Sequence, residues 1–174
     1  MDKLKTFEIA FKGLAEGKHE FDYGIDSQFF EVIEDSMIED GNLKAKVLLD
    51  KQTTILTLDF DIKGIVKTLC DRCLDPLELQ VKHKARIYVK FGEEYDEPSD
   101  EIIVLPHDEH QLNVAHLIYE FIGLSLPVQR LHEDNSCDPQ MIARLDEFKD
   151  YQSDDNQAGD PRWDELKKLL DKNK

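Results

Sequence analysis

The chain has 174 residues, of which 38 are acidic and 22 basic, giving a formal net charge of −16. That balance excludes a general nucleic-acid coat, which works by Lys and Arg displacing condensed counterions, and it disfavours an anionic membrane surface. Hydrophobic residues make up 40% of the chain, enough at this length for one sizeable core.

In chain order, Leu4 to Lys12 reads as a strand, with Phe7, Ile9 and Phe11 on one face by the two-residue period. Gly13 and Gly17 break it. Asp26 or Ser27 is placed to cap a short helix over 28–35 that buries Phe29, Phe30 and Ile33. Asp40-Gly41-Asn42 has turn chemistry, and Leu43, Ala45, Val47 and Leu49 then alternate as a strand.

Two long runs dominate the pattern. From Thr53 to Leu69, Leu56, Leu58, Phe60, Ile62 and Val66 share a face; from Leu77 to Phe91, Leu77, Leu79, Val81, His83, Ala85, Ile87, Val89 and Phe91 do so. A hairpin with Asp71-Arg72 at its tip sets Phe60 opposite His83 and Leu58 opposite Ala85. On the other face it sets Asp61 opposite Lys82 and Asp59 opposite Lys84. Apolar then meets apolar and opposite charges meet. Gly64 is a candidate bulge within the first run.

Residues 92–101 form an acidic loop with Pro98, and Ile102 to Leu105 is a short strand closed by Pro106. Asn113 is placed to cap a helix to about Leu124. Its apolar positions Val114, Leu117, Ile118, Phe121, Ile122 and Leu124 mark it as the central core helix. Asp138-Pro139 starts a short helix with Met141, Ile142, Leu145 and Phe148 on its face, and Asp160-Pro161 repeats the device before Trp163, Leu166, Leu169 and Leu170. The fold expected is α+β: an antiparallel sheet with a long hairpin, packed by a central helix and short C-terminal helices. The expected organisation is a single domain over 1–149, a flexible acidic linker over 150–160 and a docking helix over 161–174.

Charge is uneven along this plan. Residues 62–91 carry +4 and residues 92–160 carry −15, so a basic island sits beside a strongly acidic region. The outward face of the second hairpin run reads Lys82, Lys84, Arg86, Tyr88, Lys90, a pattern able to contact RNA phosphates and stack a base. Asp59 and Asp61 are expected to neutralise Lys82 and Lys84, leaving Arg86, Tyr88 and Lys90 as the contact surface.

Cys70 and Cys73 flank the hairpin tip, the usual half of a zinc knuckle, where a tight turn aims two thiolates at one tetrahedral ion. His132 and Cys137 are the candidates for the other half, giving Cys70, Cys73, His132 and Cys137 as a zinc set. The competing reading is three reduced, partly buried thiols. A thioredoxin-like redox role is disfavoured, since that motif belongs in a βαβ setting. His107-Asp108-Glu109-His110 reads as solvated loop residues and His83 as a core histidine. No carboxylate pair, phosphate-binding glycine loop or nucleophile–histidine set stands out, so an enzyme is not expected. No apolar run is long enough for a transmembrane span, and the first residues lack a signal peptide, so a cytoplasmic location is expected.

Several fragments, in order, resemble one bacterial and plastid family, the YceD-like large ribosomal RNA subunit accumulation proteins. They are C-D-R-C-L-D-P at Cys70–Pro76, D-E-I-I-V-L at Asp100–Leu105, L-S-L-P at Leu124–Pro127, His132 with Cys137, and D-P-R-W-D-E-L-K-K-L at Asp160–Leu169. The C-x-R-C-L-x-P run and the terminal motif Asp160, Pro161, Arg162, Trp163 are the most specific. Residues 1–50 match only in general character. Some relatives carry a second close cysteine pair where this chain has Cys137 alone. The resemblance implies a non-enzymatic ribosome-biogenesis factor supporting synthesis, processing or stability of large-subunit ribosomal RNA or its precursor. It also implies a small basic ribosomal protein as partner, to which the acidic region is suited. The alternatives are an acidic protein-binding adaptor or escort without RNA contact, and a metal-dependent RNA-processing enzyme.

Overall fold

A computed structural model describes residues 3–33, 36–133 and 136–153. The chain divides into two compact units, 1–70 with 76–130, and 71–75 with 131–174.

The first unit is built on a six-stranded mixed sheet, with a separate two-stranded ladder beside it. Its elements are β1 (Glu8–Ile9), β2 (Gly17–Ile25), α1 (Ser27–Val32), β3 (Asp40–Lys51), β4 (Ile55–Leu69), β5 (Pro76–Gly92), β6 (Asp96–Ser99), β7 (Ile102–Pro106), β8 (Leu112–Asn113) and α2 (Ala115–Ser125). The sheet order is β2-β3-β4-β5-β7-β6. The strands are antiparallel except for β7, which runs parallel to β5. The α+β architecture expected from the sequence is therefore present.

One face of this sheet is the core. Leu43, Ala45, Val47 and Leu49 of β3, Leu56, Leu58, Phe60 and Ile62 of β4, and Ile87 and Val89 of β5 are all buried. The α2 helix supplies Ala115, Ile118, Phe121 and Ile122 to the same core, as its apolar stripe predicts, whereas Leu124 at its end is exposed. Asn113 helps start that helix: its Oδ1 accepts from the Ala115 N–H at 2.9 Å. At α1, Asp26 is the cap and accepts from the Gln28 N–H at 3.0 Å. Phe29 and Phe30 are buried behind it.

Four local expectations need correction. Leu4 to Lys12 is not a strand: 3-10 turns over Lys3–Phe7 and Phe11–Gly13 flank a two-residue β1, which pairs only with β8. Phe7, Ile9 and Phe11 are buried as the alternation suggests. The backbone, however, is satisfied otherwise, and Lys51 Nζ donates to the carbonyls of Phe11 (3.0 Å) and Leu14 (2.7 Å). Asp40-Gly41-Asn42 opens β3 rather than turning the chain, because the ladder with β4 extends to Asp40–Lys67. Gly41 is needed there for closeness, since a Cβ would stand 3.0 Å from the Ile65 carbonyl oxygen and 3.2 Å from the Phe30 ring. The acidic 92–101 segment contains β6, an edge strand whose residues are all exposed. Asp, Glu and Pro at an edge block pairing with other chains.

The fourth correction concerns register. In the β4–β5 ladder, Phe60 faces Ala85 and Ile62 faces His83, two residues from the sequence expectation. Pro76 explains the difference. It pairs with Leu69 at the first position of β5, where its missing N–H costs nothing; the expected register would have put it inside the ladder. Residues 70–75 consequently form the turn. Gly64 makes no break in this ladder. Its φ is +152°, and a Cβ there would stand 2.2 Å from the Asn42 carbonyl oxygen and 2.5 Å from the Leu43 Cα.

Gly64→Ala is expected to destabilise the first unit by about 3 kcal/mol, combining backbone strain with overpacking. Urea unfolding checks this; a change under about 0.5 kcal/mol would show that the β3 backbone gives way freely.

Candidate metal centre and basic sheet face

The second unit contains the turn 71–75, the segment that begins at Leu131 and the helix α3 (Pro139–Ser153). Cys73 closes the turn and is buried. Leu74 follows in the left-handed region at φ 64°, which reverses the chain sharply beside the cysteine. On the second segment, the Ser136 N–H donates to the Glu133 carbonyl at 3.0 Å, a turn between His132 and Cys137. Asp138 then caps α3: its Oδ1 accepts from the Gln140 N–H at 3.1 Å, and Pro139 occupies the first helical position. This fixes the backbone next to Cys137. The helix is longer than its apolar face suggests. Ile142 and Leu145 line a small cleft with Arg72, whereas Phe148 is exposed.

His132 Nδ1 lies 3.3 Å from Cys73 Sγ and 3.9 Å from Cys137 Sγ. Tetrahedral zinc with bonds of about 2.3 Å to sulfur and 2.0 Å to nitrogen requires ligand–ligand edges of roughly 3.5 Å. The two observed separations bracket that value. Cys70, buried at the end of β4's run, precedes Cys73 by the two residues Asp71 and Arg72. Cys70, Cys73, His132 and Cys137 make up a group that could hold a metal ion, the four residues singled out by spacing. Three sulfurs with one imidazole are a zinc-type donor set. All three cysteines are free of disulfides.

The other histidines do different work. His83 stacks on Phe121 with centroids 5.6 Å apart, a core contact as expected. His107 stacks on Phe91, and His110 Nδ1 lies 3.1 Å from Lys12 Nζ. They are not brought together as a metal site among the described residues.

The outward sheet face belongs to the first unit and is a grid of side chains set by the two registers. Lys44, Lys63 and Lys82 lie in one transverse row across β3, β4 and β5. The next row is Lys46, Asp61, Lys84, followed by Leu48, Asp59, Arg86. The register shift reassigns the ion pairs. Arg86, expected to be unpartnered, holds Asp59 with two hydrogen bonds of 2.6 and 3.1 Å. Asp59 first, and Tyr88 after it, push the Arg86 guanidinium above its ordinary value. Lys63 pairs with Asp61 at 2.7 Å, and Lys46 with Glu20 at 2.7 Å. Lys82 and Lys84, expected to be neutralised, have no ion pair among the described residues, and neither do Lys44 and Lys90. The hydrogen bond from Lys63, with Lys63, Lys84 and Lys82 nearby, holds the Asp61 carboxyl below the usual range. Lys44 and Lys63 escape a reading of the second hairpin run alone; only pairing places them beside Lys82. Asp160, Pro161, Arg162 and Trp163 lie outside the described residues.

The chain belongs to the YceD family, the large ribosomal RNA subunit accumulation proteins, whose family model matches residues 58–170. No curated protein and no solved structure matches it. No helix among the described residues is long and apolar enough to cross a membrane.

Removing the cap beside Cys137 tests how the second segment is held. Asp138→Ala should cost about 1 kcal/mol of local helix stability. Amide exchange should speed up in the first turn of α3, and unchanged exchange there would show that the cap does not fix this end.

Proposed function

We propose that this YceD-family protein is a non-enzymatic, cytoplasmic ribosome-biogenesis factor that supports the synthesis, processing or stability of large-subunit ribosomal RNA. The observation carrying this reading is the family match over 58–170, a span that takes in most of the β4–β5 hairpin, its cysteine turn and α2. Among the described residues, the clustered groups are three thiols and an imidazole suited to holding an ion, and the outward sheet face carries charges suited to binding. The partners proposed are large-subunit ribosomal RNA or its precursor and a small basic ribosomal protein. The −15 charge of residues 92–160 supports the second, since a concentrated acidic region attracts and orients a basic protein.

Zinc is the cofactor proposed, held by Cys70, Cys73, His132 and Cys137. Its role is structural: four protein ligands leave no open position for a reacting water. A bound ion would tie the hairpin turn to the segment carrying His132 and Cys137, and its binding energy would count toward folding.

Depletion of the protein from its host cells should lower mature large-subunit ribosomal RNA, or accumulate its precursor, while small-subunit RNA stays level. Normal amounts of both would reject the reading. Untagged protein purified without chelator should carry about one zinc per chain. Cys137→Ser should lose most of it, and chelation should lower the melting temperature by several degrees. Wild-type protein with only traces of zinc would remove the metal from the account.

A further inference from the structure

Lys44, Lys63 and Lys82 stand directly opposite one another on three neighbouring strands. Strands are about 4.8 Å apart, and like charges placed opposite destabilise a sheet. Lys84 lies on the same face, one outward position along from Lys82. Within these two rows of β3, β4 and β5 the four ammonium groups have one carboxylate, Asp61, which Lys63 already engages at 2.7 Å; Asp22 of β2 stands opposite Lys46, and Glu78 of β5 opposite Lys67. The other Asp61 oxygen, Oδ1, is buried and has no hydrogen-bond partner. The neighbouring pairs are balanced by contrast: Arg86 has Asp59, Lys46 has Glu20 and Lys67 has Asp40. The excess of positive charge is therefore local, and it sits in a chain whose net charge is −16.

The row on the other side of the lysines is Asn42, Ile65 and Gln80. Its two amides are exposed, and Ile65 is an exposed hydrophobic residue. Amides donate to phosphate and sugar oxygens while lysines neutralise phosphates. Tyr88 lies on the same face, roughly 14 Å along β5 from Lys84 at about 3.4 Å per residue, within reach of a neighbouring base.

We propose that this patch, centred on Lys44, Lys63, Lys82 and Lys84 and flanked by Asn42 and Gln80, binds the phosphate backbone of single-stranded RNA. The inference rests on the functional reading above and names the surface through which it would act. The contact is backbone recognition with little sequence preference, because lysines and amides on a flat sheet meet phosphates before base edges. It differs from the surface expected from sequence, which is Arg86, Tyr88 and Lys90. Arg86 is committed to Asp59, and the patch draws on β3 and β4 as well as β5.

The test compares the full-length protein with a Lys44→Gln, Lys82→Gln, Lys84→Gln triple variant. All three side chains are exposed, so the fold should persist, and circular dichroism with a thermal melt checks that it does. Binding to a fluorescent single-stranded RNA of mixed sequence is measured by anisotropy across a salt series. The variant should bind on the order of tenfold or more weakly, with a salt slope shallower by about 2 for three lost phosphate contacts. Equal affinity and slope would overturn the proposal. So would a variant that keeps its RNA affinity but loses binding to polyglutamate, which would identify an acidic polypeptide as the ligand. In depleted cells the variant should fail to restore large-subunit RNA. Full restoration by the variant would overturn the patch alone and leave the functional reading standing. Normal RNA after depletion itself would reject that reading, while the anisotropy result still decides whether the patch binds RNA.

Discussion

The alignment of β4 with β5 governs most of what this molecule presents. The two strands pair without interruption from Ile55–Lys90 to Leu69–Pro76. Slipping one strand by a single residue would send Leu56, Leu58, Phe60 and Ile62 to the outside, so that error is forbidden by burial. A slip of two residues keeps every apolar side chain in the core and is nearly invisible to hydrophobic patterning. What separates the two registers is backbone chemistry at the turn. Pro76 cannot donate to a ladder, and Leu74 holds a left-handed conformation that no strand residue adopts. Both become acceptable only when residues 70–75 are left as the turn.

That same choice sets the electrostatics of the outward face. In the observed alignment Asp59 meets Arg86 and Asp61 meets Lys84, so the guanidinium takes a bidentate partner suited to its geometry. The lysines nearer the turn are left in excess. Gly64 extends the constraint to the third strand, because its bare backbone lets β3 approach where a side chain would collide. Lys44 thereby joins Lys63 and Lys82. A row of like charges is thus a consequence of backbone pairing, and its cost within the sheet is what an anionic partner would relieve.

The cysteine turn follows a different logic. Its donors lie on short segments whose shape is set locally: a turn ending at Cys73, a hydrogen-bonded reversal between His132 and Cys137, and a capped helix immediately afterwards. Soft sulfur donors with one imidazole favour an ion such as zinc over the hard cations that bind carboxylates. The chain has 38 carboxylates, yet the group with metal-binding potential among the described residues contains none of them. Abundant exposed acid groups repel one another and stay solvated, whereas thiols enter apolar surroundings readily.

The order of residues alone is enough for the α+β class, the two long strands, the inward faces of β3, β4 and β5, the core helix α2 with Asn113 at its start, and the four metal-ligand candidates. Those features rest on periodicity, capping and spacing, which act over a few residues and survive any packing of the whole. Long-range packing settled that Phe7, Ile9 and Phe11 are buried without a strand, that Asp40-Gly41-Asn42 continues β3, and that β7 runs parallel to β5. It also decided which cations are paired. Each of those outcomes depends on a partner distant in the chain, such as Lys51 on the Phe11 carbonyl, Ile65 behind Gly41, or Asp59 on Arg86, and pairing energies across strands are not written in the local order of residues.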